Sequence, residues 1–234
     1  MKQLLTLALA LLAGGVMAAE EGLVGNWPIN EGEGAVIKDM GPNQLNGVIQ
    51  VPADTSWVDG RNGGKALAFS GVNGKAPFVF VDKVTADLTK GMTVMCWIRF
   101  DQTFKRDGIY EIVSNTRGSF GKGFRLIVHY QRLLFSIGDG DKKMSYANST
   151  FGKNPINGEV WMHVAATHDG DKTIKVYIDG ELAGTSTPEN SVPMTVGATA
   201  LSIGSQFGYS PFPGIVSEVK LYSKALSDAE IMTA

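Results

Sequence analysis

Trp161-Met162-His163-Val164-Ala165-Ala166-Thr167-His168-Asp169-Gly170, followed by Lys175-Val176-Tyr177-Ile178-Asp179-Gly180-Glu181-Leu182, is the stretch on which the fold reading turns. Two apolar, β-branched runs are each closed by Asp-Gly, and the second Asp-Gly lies directly between two strand-like segments, the strongest short-range signal for a hairpin. The same grammar extends outward in both directions. Lys65–Phe69, Phe124–Val128, Leu133–Ile137 and Leu201–Ile203 have strand length and strand composition, and Tyr130-Gln131 bridges two of them. Helical periodicity is nearly absent, except that Ser227 stands ready to cap Asp228-Ala229-Glu230-Ile231, with Glu230 at the capping-box position. Turn signals recur at sandwich-like spacing with no Pro/Ser-rich linker, which predicts one continuous all-β domain.

Composition agrees and excludes several classes. The 234 residues include 29 glycines without a Gly-X-Y period, and 44% hydrophobic residues, which argues against both collagen and disorder. A formal net charge of −2, from 21 basic and 23 acidic side chains with no basic cluster, leaves no footprint for nucleic acid. Met1-Lys2-Gln3, the apolar run Leu4–Leu12 and the small-residue pattern Val16-Met17-Ala18 read as a Sec-type signal peptide over residues 1–18. The mature domain is then 19–234, net −3, secreted or periplasmic, with no membrane insertion. Cys96, the single cysteine, has no disulfide partner and sits in the strand-like run Met92–Phe100, so it reads as core.

Three collinear segments resemble laminin-G-like domains of the concanavalin A-like lectin/glucanase superfamily. Near the start, Trp27 precedes Asp39-Met40-Gly41-Pro42-Asn43-Gln44-Leu45-Asn46-Gly47, which is similar to the family's "W, then D-x-S-G-x-x-x-x-G". The opening stretch resembles its "W-x-H-V-A … L-Y-V-D-G" hairpin. At the end, Gly214-Ile215-Val216-Ser217-Glu218-Val219-Lys220-Leu221-Tyr222-Ser223-Lys224-Ala225-Leu226-Ser227 resembles "G-x-I-D-E-V-R-I-Y-N-R-A-L-S". The resemblance implies a jelly-roll sandwich of two curved antiparallel sheets with a short C-terminal helical turn. Its first and last strands would be neighbours, which brings the Asp39 loop towards Glu218.

The resemblance also implies a possible structural Ca²⁺ between that loop and the last strand, with Asp39, Asn43, Asn46 and Glu218 as oxygen ligands. Ser217 stands where the family carries the first acid of the pair, and the other reading of the loop is a turn held by Asx hydrogen bonds. Sugar recognition calls for flat aromatic faces beside polar side chains. The densest such feature is Ser205-Gln206-Phe207-Gly208-Tyr209-Ser210-Pro211-Phe212, giving Gln206, Phe207 and Tyr209, with Trp57, Arg117 and Tyr146 as further candidates. Trp27, Trp97 and Trp161 are expected in the core, and His163 and His168 on opposite faces of one strand.

No carboxylate set matches the superfamily's glucanase pattern. Glu111 has no acid at the required spacing, and Tyr222-Ser223-Lys224 lacks the other lyase motifs. The expectation is therefore a non-catalytic, exported lectin-like or adhesion domain with a glycan or surface protein as partner. The alternatives are a glycan hydrolase or lyase of the same superfamily, or a structural interaction domain.

Overall fold

The computed structural model describes residues 20–71, 76–101, 107–150, 156, 159–194 and 200–234. The signal-peptide reading lies outside the described residues. In chain order the strands are β1 (Leu23–Trp27), β2 (Val36–Ile37), β3 (Gly47–Gln50), β4 (Thr55–Asp59), β5 (Lys65–Ser70), β6 (Phe78–Val81), β7 (Met92–Phe100), β8 (Ile109–Ser114), β9 (Gly123–His129), β10 (Arg132–Gly138), β11 (Met144–Asn148), β12 (Met162–His168), β13 (Ile174–Ile178), β14 (Glu181–Ser186), β15 (Leu201–Ile203) and β16 (Pro213–Tyr222). One helix, α1 (Asp228–Thr233), follows.

The strands form two antiparallel eight-stranded sheets. The first runs β14-β13-β12-β7-β16-β5-β4, with β1 also on β16, and the second runs β11-β10-β9-β8-β15-β6-β3-β2. Every strand pairing among the described residues is antiparallel, so neighbouring strands exchange perpendicular ladder hydrogen bonds. The last strand is central to the first sheet. One edge of β16 pairs along β7, and its other edge is shared by β5 over Pro213–Val216 and by β1 over Val219–Tyr222. The first and last strands are therefore neighbours, as the resemblance implies.

The two sheets enclose a single large core built from alternate residues of facing strands, including Trp27, Phe69, Val94, Cys96, Phe100, Phe124, Phe135, Val164, Val176 and Val216. Cys96 is fully buried, and burial pushes its thiol well above the usual range. A second, smaller core lies on the outer side of the first sheet, where Met95, Ala165, Tyr177 and Tyr222 meet Leu226 and Ile231. The helix that delivers Ile231 begins with the expected capping box: the Ser227 hydroxyl accepts from the Glu230 amide (3.3 Å) and the Glu230 carboxylate accepts from the Ser227 amide (2.7 Å).

The Asp179-Gly180 turn has positive φ at both residues, 51° and 80°, the mirror-image turn that matches strand twist. Tyr130-Gln131 makes the same kind of turn between β9 and β10 with φ of 50° and 66°, but without a glycine. His163 pairs with Trp97 on the outer side of the first sheet, while His168, between Met92 and Ile174, points into the sandwich. Trp27 is in the core. Trp97 and Trp161 are not, contrary to the expectation for them. Both are half-buried: Trp97 lies on the outer face, where the Arg61 guanidinium carbon sits 3.4 Å above its ring, and Arg99 lies 5.3 Å from the Trp161 ring.

Candidate binding site

The outer face of the second sheet carries an unusual polar band. Across neighbouring strands the register aligns Tyr146, Ser136, Arg125, Ser114, Ser202 and Phe80 in one row. Arg125 donates through Nε and Nη2 to Glu111 Oε1 in the adjoining row, and both residues are buried. Burial raises the Glu111 pKa and the Arg125 guanidinium opposes that rise. A buried ion pair of this kind adds little net stability, but removing one partner strands the other charge, at a cost of roughly 3–5 kcal/mol. Glu111 Oε2 and the Ser114 hydroxyl have no protein partner. The row supplies Glu111 with a cation and hydroxyls, and with no second carboxylate.

Two loops cover this band. The first is the β15–β16 connection. Gly204 enters it at φ +88°, where a Cβ would collide with the Phe69 ring, so only glycine fits. The Ser202 hydroxyl donates to Ser205 O (2.5 Å) and accepts from the Phe207 amide (3.1 Å), while Ser205 Oγ accepts from the Gly208 amide (2.8 Å). Gln206 and Tyr209 exchange backbone hydrogen bonds of 2.8 and 3.1 Å, and the Glu111 amide donates to Ser210 O. Phe207 and Ser210 both hold positive φ, 51° and 46°, conformations that cost non-glycine residues energy and persist only where the surroundings fix them. The second loop, Asn115–Lys122, meets the first where Gln206 Nε2 donates to Gly118 O (3.4 Å).

The structure brings four of the six sugar-contact candidates together here and separates their roles. Phe207, 8% exposed, packs edge-on against Phe78 (6.0 Å) and Phe80 (6.4 Å), and the Arg117 guanidinium lies over its ring at 4.7 Å. Its expected role as a free aromatic platform is therefore corrected: Phe78 and Phe80 face outward from β6 and occupy one side of the ring, and Arg117 occupies another. Phe207 anchors the turn. Gln206 is buried and spends its amide on the second loop. Arg117 is exposed at the edge of the cluster.

Tyr209 projects from the same turn with 68% of its surface exposed, and Tyr146, 45% exposed, stands on the edge strand of the same face. Trp57 does not join them. It lies on β4 of the other sheet, donates to Gly34 O (3.3 Å) and packs against the main core. Sequence reading missed the supporting residues Phe78, Phe80 and Arg125 and weighed Glu111 only as a catalytic acid; the outward alternation of Phe78-Val79-Phe80-Val81 was the one available signal.

The loop expected to hold calcium satisfies itself by hydrogen bonding. Asp39 Oδ1 accepts from the Asn26 and Gly41 amides (2.7 Å each) and Oδ2 from the Leu45 amide (2.7 Å). Asn46 Oδ1 accepts from the Asp39 amide (2.9 Å), and Asn43 Nδ2 donates to Val24 O (2.7 Å). Glu218 is turned to Arg61, whose Nη2 lies 3.2 and 3.3 Å from its two oxygens. Among the described residues no group of three His, Cys, Asp or Glu side chains is arranged to hold a metal ion. Both candidate carboxylates are thus hydrogen-bonded within the protein, Asp39 by three backbone N–H donors and Glu218 by the Arg61 guanidinium.

Residues 73–232 match the laminin G-type family described as the concanavalin A-like lectin/glucanases superfamily. No curated protein matches the chain by sequence. Among solved structures, domain 4 of an extracellular arabinanase from Geobacillus stearothermophilus, in complex with arabinotriose, is 18% identical with a TM-score of 0.69 over 92% of this chain and 98% of that one. The binding domain of Paraclostridial Mosquitocidal Protein 1 is 18% identical with a TM-score of 0.69, covering 91% of this chain and 51% of that one. The binding domain of Botulinum Neurotoxin DC in complex with SialylT is 13% identical with a TM-score of 0.68, covering 91% and 50%. The chain thus spans about half the length of the toxin domains it matches, and at these identities the likeness is one of fold.

Proposed function

Because the chain belongs to the laminin G-type family of the concanavalin A-like lectin/glucanases superfamily, we propose that it is a non-catalytic binding module that holds a glycan at the Arg117–Tyr209 rim of its second sheet. The observation that carries the proposal is the braced turn itself. A tyrosine ring stands in solvent on a loop braced by the Ser202 and Ser205 hydroxyls, and its base is pinned by Phe207. Rigid aromatic faces of this kind bind sugar rings with little loss of side-chain entropy. Arg117 beside it offers donors to hydroxyls, and Tyr146 lies on the same face. The arabinanase domain, which this chain covers nearly end to end, was solved with a trisaccharide, which supports a sugar as ligand.

No reaction is part of the proposal, since glycoside hydrolysis needs a second carboxylate facing the first and Glu111 is paired with Arg125. One observation favours a protein partner as the second reading: Val36 and Val48, cross-strand neighbours on the same face, are both exposed. The leader pattern Met1–Ala18 supports export, and the mass of the mature chain tests it. Retention on polysaccharide affinity gels tests the glycan. The wild-type protein is retarded and Tyr209→Ala runs free, whereas equal mobility of both on every gel refutes the reading.

A further inference from the structure

A second pocket lies on the opposite sheet, against the strand that the resemblance assigns to calcium, and its charge has the wrong sign for a cation. The cavity, about 310 Å³, is bounded by Asn26 at the end of β1, Arg61 after β4, Lys65 at the start of β5, and Ser217, Glu218 and Lys220 of β16. Three cationic side chains thus face one carboxylate. Arg61 is fixed from two directions, by the Trp97 ring 3.4 Å beneath it and by both oxygens of Glu218. The lysines are held loosely. Lys65 pairs with Asp59 at 2.9 Å, but that acid's side chain is 91% exposed, and Lys220 reaches Glu20 only at 3.6 Å. Solvated pairs of this kind are worth little and exchange readily for a better-placed anion.

The backbone is also shaped at this point. The β16 ladder shifts register against β7 between Ser217 and Lys220, and Glu218 sits there at φ +52°. Bulges of this sort re-aim side chains, and a non-glycine residue in the left-handed region is retained where the surroundings fix it. The positive field extends beneath the pocket. His163, whose ring lies tilted against Trp97 at 5.3 Å, is kept neutral chiefly by burial, with Asp179 opposing and Arg61 and Lys220 adding to the effect.

We propose that this pocket binds the anionic substituent of an acidic sugar, a uronate carboxylate or a sulfate ester, with Lys65, Lys220 and Arg61 as its donors. The sugar part of the inference rests on the glycan reading above; the anion part stands on these residues alone. Charge-assisted hydrogen bonds to carboxylate or sulfate are the strong class, and in a half-open pocket they weaken with salt.

The test is a titration of the ¹⁵N-labelled full chain followed by amide shifts, using glucuronate, glucose 6-sulfate, glucose, sodium sulfate and calcium chloride in separate arms. The expected result is saturable movement of Asn26, Lys65, Ser217 and Lys220 with the two acidic sugars, weakened by higher salt, and none with glucose. Lys65→Gln and Lys220→Gln should each weaken binding about tenfold, the loss of one charge-assisted contact. Tyr209→Ala should leave this titration unchanged, so failure at the rim and failure here are distinguishable. Sodium sulfate binding as tightly as the sulfated sugar would overturn the sugar. Silence with every anion would overturn the site, as would saturation by calcium that Glu218→Gln abolishes.

Discussion

Lowering the pH from 7 to 5 should destabilise this protein through one histidine. His163 is 6% exposed, its amide donates to Asp179 (2.9 Å), and its pKa is lowered from 6.5 to about 4, first by burial, against the pull of Asp179, and further by Arg61 and Lys220. A group whose folded pKa lies below its unfolded value binds more protons when the chain unfolds, so stability rises with pH across that interval. It is fully present above about 6.5 and is lost as the pH falls towards 4. Integrating between these values gives a loss of about 2 kcal/mol at pH 5 and about 3 kcal/mol at pH 4. For a domain of this size about 2 kcal/mol is a fall of roughly 4–8 °C in melting temperature. Urea unfolding at several pH values, on wild type and His163→Gln, measures it. Both proteins share the other groups that titrate in this range, including His129 and His168, whose pKa values burial also lowers. The variant should therefore show a shallower dependence by about 2 kcal/mol between pH 7 and 5. Parallel curves would refute the assignment of the buried neutral state to His163.

Other substitutions probe other parts of the molecule. Asp39→Ala leaves three backbone donors without their acceptor in a largely buried loop and should cost about 2–5 kcal/mol in chemical denaturation. Chelator should leave the wild-type melting temperature unchanged, because a calcium ion bound only by the folded state would have raised it by mass action. Gln131→Gly, at φ 66° in the β9–β10 turn, should raise stability by about 0.5–1 kcal/mol, since glycine adopts that conformation without the cost a side chain imposes. A lower denaturation midpoint for that variant would contradict the turn geometry.

Local signals carried the sequence reading a long way. The Asp179-Gly180 hairpin, the Ser227–Glu230 cap, the opposed faces of His163 and His168 and the β1–β16 adjacency are each written in residues close together or in matching motifs. What stayed hidden depends on distant partners. In Met92–Phe100 the polar Thr93 and Arg99 share the parity of Trp97 and mark the outer face, but the apolar Met95, which packs with Ile231 of α1, interrupts that alternation and makes the whole run read as core. Phe207 is buried by two phenylalanines of β6, far earlier in the chain, and Glu218 is claimed by Arg61, 157 positions away. The Glu111–Arg125 pair arises from the register of β8 on β9, shifted between Glu111 and Val113, a bulge that no spacing in the sequence announces.

The central claim, that the Arg117–Tyr209 rim is where this domain binds glycan, is tested most directly by mapping amide shifts while a retained oligosaccharide is titrated into the mature chain. The account predicts that the largest saturable shifts fall on residues 115–121 and 205–210, with Tyr146 following, and that Tyr209→Ala abolishes them while leaving the spectrum of the fold intact. Shifts confined to Val36 and Val48, or to any surface away from those two loops, would contradict it.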